Sequence, residues 1–252
     1  ESVDSNKFRY RFAEYNVDGT FKHVPRSLVG AYKGYMTSNK LYSRSGVRPT
    51  VNQSTTSFDN FANARGQGYQ RIDFQQHCVI AFMLYAKYGN RNLQAVLGTG
   101  GAVSGSSATM TGTSNSTGIT DTKNETSKYV CGLGLEGVFG GIYEWVKGVE
   151  INNRVWKITD PDGSTRNVNA GTSDGWITNV AAEKGPFFDM VPTQVGGSET
   201  THYSDYYWQS SSNSLVLARS YNDSNTNGGV AYANANNDAS NTNANVGSRL
   251  EI

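Results

Sequence analysis

Between Asp73 and Tyr88 the chain reads DFQQHCVIAFMLYAKY. Phe74, Cys78, Ala81, Phe82, Tyr85 and Tyr88 recur there at helical spacing, while Lys87 reaches for water. The pattern predicts a mostly buried helix. Asp73 is placed to cap it, Gln76 holds the capping-box position three residues on, and Gly89-Asn90 ends it because both residues tolerate a left-handed turn. His77 is expected as a core or boundary histidine rather than a ligand. From Arg154 the period drops to two: Val155, Lys157 and Thr159 alternate with Trp156 and Ile158 before Pro161-Asp162-Gly163, which predicts a hairpin over Arg154–Ala170. A second hairpin is expected from Lys7–Tyr15 and Thr20–Val24, turning at Asp18-Gly19. Ser43–Thr50, punctuated by Gly46 and Pro49, reads as a loop. Gly132–Ile151 is the densest stretch.

The pattern changes near the carboxyl end. Residues 211–245 hold 10 asparagines, against 15 in the first 210 residues, a density about four times higher. Such composition suits a disordered tract. Three segments argue for a folded one. Ser214–Ser220 (SLVLARS) is apolar enough for a buried strand, with Arg219 as a fixed charge at its end. Gly228–Ala235 (GGVAYANA) sets Val230, Tyr232 and Asn234 on one face and Ala231, Ala233 and Ala235 on the other. Asn245–Leu250 (NVGSRL) reads as a terminal strand pinned by Arg249. Tyrosine, serine, asparagine and glycine are also the residues that antibody paratopes favour, so the segment reads as a binding surface.

The 252 residues carry a net charge of +1 with 17% charged side chains, which points to neither nucleic acid nor an anionic membrane. The longest apolar run, Cys78–Ala86, is too short to span a bilayer. Cys78 is expected as a buried free thiol, with Cys131 the second cysteine, and no zinc-ligand spacing occurs. Asp160 and Asp162 are better explained by the Pro-Asp-Gly turn than by calcium. No GxSxG, Walker or HExxH motif is present, and Gly98–Gly101 lacks a following lysine. Glu136 and Glu144 are expected in structural hydrogen bonding. No cofactor, metal or catalytic residue is expected. Gly98–Ser127, rich in Gly, Ser and Thr, is expected as a long surface insertion, with a glycosylation sequon at Asn124.

Two motifs carry a resemblance. Leu135–Trp145 (LEGVFGGIYEW) resembles the Glu-Asn-x-x-Gly-Asn-x-x-Glu-Trp motif of C-type lectin folds of the formylglycine-generating-enzyme type. Asn245–Leu250 resembles their Asn-Ile-Gly-Phe-Arg ending, and Gly66–Gln94 looks like a segment common in viral lectin-domain proteins. The stretch between is similar to the variable region of proteins diversified by retroelements, such as the tropism determinants of phages and archaeal viruses. There, adenines of an asparagine-rich template are randomised, and AAC or AAT codons cannot become Lys, Glu, Gln, Met or Trp. All five are absent from residues 211–249. Gly137 and Gly141 replace the motif's two asparagines, and Ser248 stands where an aromatic is common.

The resemblance implies an α+β, C-type lectin-like single domain over 1–252, with short twisted antiparallel sheets, a main helix near 73–88 and a variable ligand-binding region over 201–249. It implies receptor recognition from a virion surface, in a tail or receptor-binding structure, or from another extracellular surface. The expected partners are a host cell-surface protein or glycan and other virion proteins, with no nucleic acid and no membrane insertion. Tyr206, Tyr207, Tyr221, Asp223, Asn225, Thr226, Tyr232, Asn234 and Asn236 are the expected contacts, with Tyr221 and Tyr232 as hot spots. Glu144, Trp145, Trp208, Arg219 and Arg249 are expected as scaffold, Arg219 pairing with Asp238 or Glu144. The alternatives are an enzyme of the formylglycine-generating type, whose late reactive cysteines Cys78 and Cys131 do not match, and a structural virion or adhesin protein solvated by its polar tail.

Overall fold

The computed structural model describes residues 13–15, 21–23, 28–101, 108–121, 129–160, 163–181, 189–220 and 228–252. Among them the fold is mixed α+β, mostly strands, with few helices and a curled half-barrel sheet. The helices are α1 (Thr55–Asn63), α2 (Phe74–Tyr88) and α3 (Leu93–Leu97). Seven short strands come first in the chain: β1 (Ala13–Tyr15), β2 (Phe21–His23), β3 (Gly34–Thr37), β4 (Lys40–Ser43), β5 (Gln70–Arg71), β6 (Val130–Gly132) and β7 (Leu135–Phe139). The large sheet is built from β8 (Tyr143–Asn152), β9 (Val155–Thr159), β10 (Thr165–Asn169), β11 (Gly175–Val180), β12 (Pro192–Val195), β13 (Tyr206–Gln209), β14 (Leu215–Arg219) and β15 (Ala233–Asp238). The short β16 (Val246–Gly247) also joins it, and β17 (Leu250–Glu251) pairs with β5.

The sheet runs in the order β10-β9-β8-β14-β15-β13-β11-β12. Its pairs are antiparallel except β13 with β15, and β16 with β8. β8 is long enough to share one edge between two partners: β9 takes Val149–Asn152, and β16 takes Tyr143 and Glu144. Helix α2 starts as its sequence pattern predicts, with the Asp73 carboxylate accepting from Gln76 N at 2.8 Å, and ends on Gly89 at φ 59°. The β9–β10 hairpin forms with Trp156 and Ile158 buried, and its Asp160 is engaged by Arg166 and Gln75. β1 pairs antiparallel with β2, while the Asp18-Gly19 turn lies outside the described residues. Both cysteines are free and buried.

Two layers cover the sheet unequally. On the inner face, Phe74, Cys78, Ala81 and Leu84 of α2 join Trp156, Ile158, Leu217, Ala233 and Ala235 in the main core. The Phe74 and Trp156 rings meet edge-on, 6.0 Å apart. On the outer face, Phe58 and Ala62 of α1, with Leu41 of β4, bury Trp145, Ala218 and Val246. That outer cover lies on β8, β14 and β16.

A buried ion cluster closes the molecule. The Glu144 carboxylate, 1% exposed, lies 2.9 Å from Lys33 Nζ and 2.9 Å from Arg249 Nε, with His77 Nε2 at 3.2 Å. Arg249 also donates to the carbonyls of Gly30, Glu136 and Gly137 at 2.7–2.8 Å. Burial alone opposes ionisation of Glu144, yet Arg249 and Lys33 outweigh it and hold the carboxyl well below its usual range. Burial pulls Lys33 down to about 8 and keeps His77 below its ordinary value.

Of the Gly/Ser/Thr-rich stretch, expected as a surface insertion, Met110, Thr113, Asn115–Gly118 and Thr120 are exposed. Among its described residues, Ala108, Thr111 and Ser114 are buried. The reason is Glu136, whose buried carboxylate accepts from Gly112 N and Ser114 N at 2.8 and 2.9 Å and so needs that backbone against β7. Tyr129 adds to the docking by donating to Thr109 O at 2.7 Å. Its ring lies 3.0 Å from where a Cβ on Gly137 would sit and 2.5 Å from one on Gly141, and both glycines have left-handed backbone. The two positions where the lectin-type motif carries asparagine therefore have no room for a side chain here.

Breaking the cluster strands a buried charge, so Arg249→Met is expected to cost about 3–5 kcal/mol in urea unfolding at pH 7. Because Glu144's folded pKa is depressed, its contribution is present above the unfolded value and lost as pH falls through the folded one. Unfolding curves of Glu144→Gln should therefore lack that component of the acid-side loss.

Candidate functional site

Two register rows cross the sheet, one on each face. The inner row runs Glu144, Arg219, Ala233, Tyr207, Gly175 across β8, β14, β15, β13 and β11. The outer row runs Trp145, Ala218, Asn234, Trp208 across the first four of those strands. Because side chains alternate along a strand, Tyr206 shares the outer face with Trp208, and its register partner Trp176 on β11 shares it too. Trp145 and Ala218 lie beneath α1. Trp176, Tyr206, Trp208 and Asn234, farther along the sheet, are all partly exposed.

These side chains form one surface. Trp176 and Tyr206 meet edge-on with ring centroids 5.3 Å apart, and Tyr206 and Trp208 lie 4.6 Å apart at 41°. Beside them runs a chain of amides: Asn237 Nδ2 donates to Asn234 Oδ1 at 2.6 Å, and Asn241 Nδ2 donates to Asn237 Oδ1 at 2.8 Å. Asn236 is exposed at a bulge where the β14–β15 register shifts, with its Oδ1 3.3 Å from Asn237 Nδ2. Other polar residues of the segment shape its turns, Asp238 accepting from Ser240 N and Asn241 from Asn243 N. Burial, and then the nearby Asp174 carboxylate, raise the Tyr206 hydroxyl above its ordinary value, so it is neutral at physiological pH.

The expected contacts divide. Tyr206, Asn234 and Asn236 face solvent at least in part, while Tyr221, Asp223, Asn225 and Thr226 lie outside the described residues. Tyr207 and Tyr232 are corrections, being 0% and 1% exposed. Tyr207 belongs to the inner row, where period two turns it toward Trp156 at 6.4 Å. The Tyr232 hydroxyl lies 2.7 Å from that of Tyr143, with the rings 5.5 Å apart. Strand β15 begins at Ala233 rather than Gly228, because Val230 and Ala231 form a turn that Tyr232 N closes by donating to Gly229 O at 3.3 Å.

Among the expected scaffold residues, Glu144, Trp145 and Arg249 are buried, but Trp208 lies on the open face. Arg219 pairs with neither Asp238 nor Glu144. Its guanidinium is fully buried, donates to Met190 O, and lies 5.2 Å from the Phe74 ring centre and 6.0 Å from that of Trp156. Sequence reasoning missed Trp176. The turn signal Ser173-Asp174-Gly175 followed by alternating Trp176, Ile177 and Thr178 was the clue.

Asp205 fastens this surface to the core. Its buried carboxylate accepts from Gln94 Nε2 and Ala231 N, each at 2.8 Å, and abuts Gly229. Burial pushes its pKa up to about 7, against the opposing pull of Ala231 N–H, Gln94 and Arg219. The Cys78 thiol is pushed by burial up to about 12, which removes it from thiolate chemistry near neutral pH. No helix of the described residues is long and apolar enough to cross a membrane. No protein-family model and no curated protein matches the chain.

A Cβ on Gly229 would sit 2.0 Å from Asp205 Oδ1, so Gly229→Ala is expected to cost about 3 kcal/mol, the upper end for overpacking, in thermal or urea melts. Asp205's folded pKa lies above its unfolded value. Its contribution is therefore full below about 4 and is lost as pH rises through about 7. Stability measured across that window should fall in the wild type and fall less in Asp205→Asn.

Proposed function

We propose that the chain is a ligand-recognition protein of C-type lectin-like fold, presenting an exchangeable surface on the open half of its sheet. One observation carries this reading. The asparagine-rich carboxyl segment is folded over its described residues 228–252, with alanines inward and amides outward beside an aromatic cluster. The framework rests on the inner face, where the α2 core packs against Ala233 and Ala235 and where Glu144 lies, and not on the outward side chains. Support for the lectin-like architecture comes from the two motifs meeting in space. β16 pairs with β8, and Arg249 grips Glu144.

Recognition on such a platform depends on which side chains occupy the outer face. The aromatic rings contribute large contact area at small entropy cost, and the amides adapt their hydrogen bonding. The mechanism is binding from a virion or other extracellular surface, with multivalent display raising weak individual affinities. Diversification by a retroelement explains both the asparagine density and the absence of Lys, Glu, Gln, Met and Trp from residues 211–249.

Two measurements test this. Flanking DNA should contain a near-copy of the segment encoding residues 211–249, differing at adenines and lying beside a reverse-transcriptase gene. Without that copy the retroelement origin fails. In an exchange library, substitutions at Asn234 and Asn236 should change stability by within about 0.5 kcal/mol, whereas Ala233→Leu and Ala235→Leu should each cost about 1–3 kcal/mol. Equal sensitivity of both sets would refute the display platform.

A further inference from the structure

Resting on the recognition reading above, we propose that the open half-sheet takes an exposed arginine of a protein partner, its guanidinium stacked on the Tyr206–Trp208 pair and ion-paired with Asp174. The rings supply one half of such a site. Trp176, Tyr206 and Trp208 are partly exposed on one face, and among the described residues no cation lies over any of them. Elsewhere the chain places its own guanidinium groups over tyrosines: Arg65 stands 4.2 Å from the Tyr42 ring centre and Arg91 5.2 Å from that of Tyr203. The electron-rich face of an aromatic ring attracts such a cation, most strongly at tryptophan.

Asp174 supplies the charge. It precedes Gly175, so alternation along the strand puts it on the outer side with Trp176, and it is exposed. Its Oδ1 accepts from Gln209 N at 2.9 Å, and among the described residues no cation lies within ion-pair distance of it. A hydrogen bond from a neutral amide orients the carboxylate and leaves its charge in place. Arg154, whose charge also persists, donates at 2.5 Å to the Gln209 side chain, which period two turns inward with Tyr207. The two tyrosines feel this division. Burial and then Asp174 raise the outward Tyr206 hydroxyl. Burial pushes the inward Tyr207 up to about 12, Trp156 and then Arg154 opposing it before Asp174 adds to the rise. The outer face therefore sets negative charge beside aromatic rings.

Ring geometry selects among cations. Trp176 and Tyr206 meet edge-on at 5.3 Å and Tyr206 and Trp208 lie at 4.6 Å, so the rings touch and leave no gap to enclose a quaternary ammonium. A planar guanidinium stacks on an open face, is more weakly hydrated than the lysine ammonium, and directs N–H donors at a carboxylate beside it. Asn234, in register with Trp208, adds a donor. Its Oδ1 is held by Asn237 Nδ2 at 2.6 Å, and its Nδ2, without a partner among the described residues, is left for a backbone carbonyl of the arginine-bearing segment. That segment is read through its side chain and not by strand addition, because β13 and β15 each have a neighbour on both sides.

The test titrates the full chain at low ionic strength with acetyl-arginine amide, acetyl-lysine amide, the uncharged isostere acetyl-citrulline amide and tetramethylammonium, following the indole N–H resonances by NMR. Acetyl-arginine amide is expected to move Trp176 and Trp208 saturably while the buried Trp145 and Trp156 stay still. The lysine amide binds more weakly, and the other two give no response. Asp174→Asn, which keeps an acceptor for Gln209 N–H, should weaken arginine binding about fivefold, and Trp208→Ala should abolish it. Should Trp208→Ala fold poorly, Asp174→Asn decides alone. No movement with acetyl-arginine amide, equal movement with any of the other three probes, or undiminished binding in Asp174→Asn overturns the proposal. Each of these leaves the recognition reading standing, since that reading is tested by the exchange library and the flanking DNA.

Discussion

A single carboxylate organises this fold. Glu144 is out of contact with water, and an ion so placed is tolerable only if several donors surround it. Here they come from far apart in the chain: Lys33 from the amino-terminal third, His77 from α2, and Arg249 from the segment between β16 and β17. Arg249 spends its remaining donors on carbonyls of Gly30, Glu136 and Gly137, so one side chain ties its own segment to two others, that around Gly30 and β7. Neither hydrophobic layer needs to specify how these segments meet, because the ion cluster already does.

The sheet's asymmetry follows from where α1 ends its coverage. Trp145 and Ala218 lie in the same register row as Asn234 and Trp208, yet the first two are sealed under Phe58 and Ala62 and the last two are not. One row thus passes from core to surface within four strands. A cavity is not required for recognition on such a face. The curvature of the sheet and the inward alanines of β15 set the height of the outward side chains, and Asp205 holds the entry to that strand.

Much of this was legible in the sequence, for reasons of period. Helix α2, its Asp73 cap and its Gly89 stop follow from local chemistry, as does the β9–β10 hairpin. The terminal arginine was legible as an anchor. Its carboxylate partner was legible as structural, though not as the centre of a four-residue cluster, since the spacing between Lys33, His77, Glu144 and Arg249 has no period. Burial of Tyr207 and Tyr232 was not legible either. Tyrosine-rich composition suggests exposure, but the face a tyrosine occupies depends on register, and register depends on pairing with β15 and on contact with Tyr143. Trp208 reads as scaffold because tryptophan cannot arise from an asparagine codon by adenine change, and that reading does not tell which way its ring points. The buried anchor points of the Gly/Ser/Thr-rich stretch were not legible, because composition does not reveal that Glu136 takes two backbone donors from it.

The order of parts along the chain has a biosynthetic consequence. Arg249 follows the asparagine-rich segment, so any stop codon or frameshift arising within residues 211–245 also deletes the guanidinium that neutralises Glu144. Such a product is left with a stranded interior anion and is exposed to proteolysis. Only reading frames that stay intact through the asparagine-rich stretch yield a durable protein, so the architecture inspects its own translation.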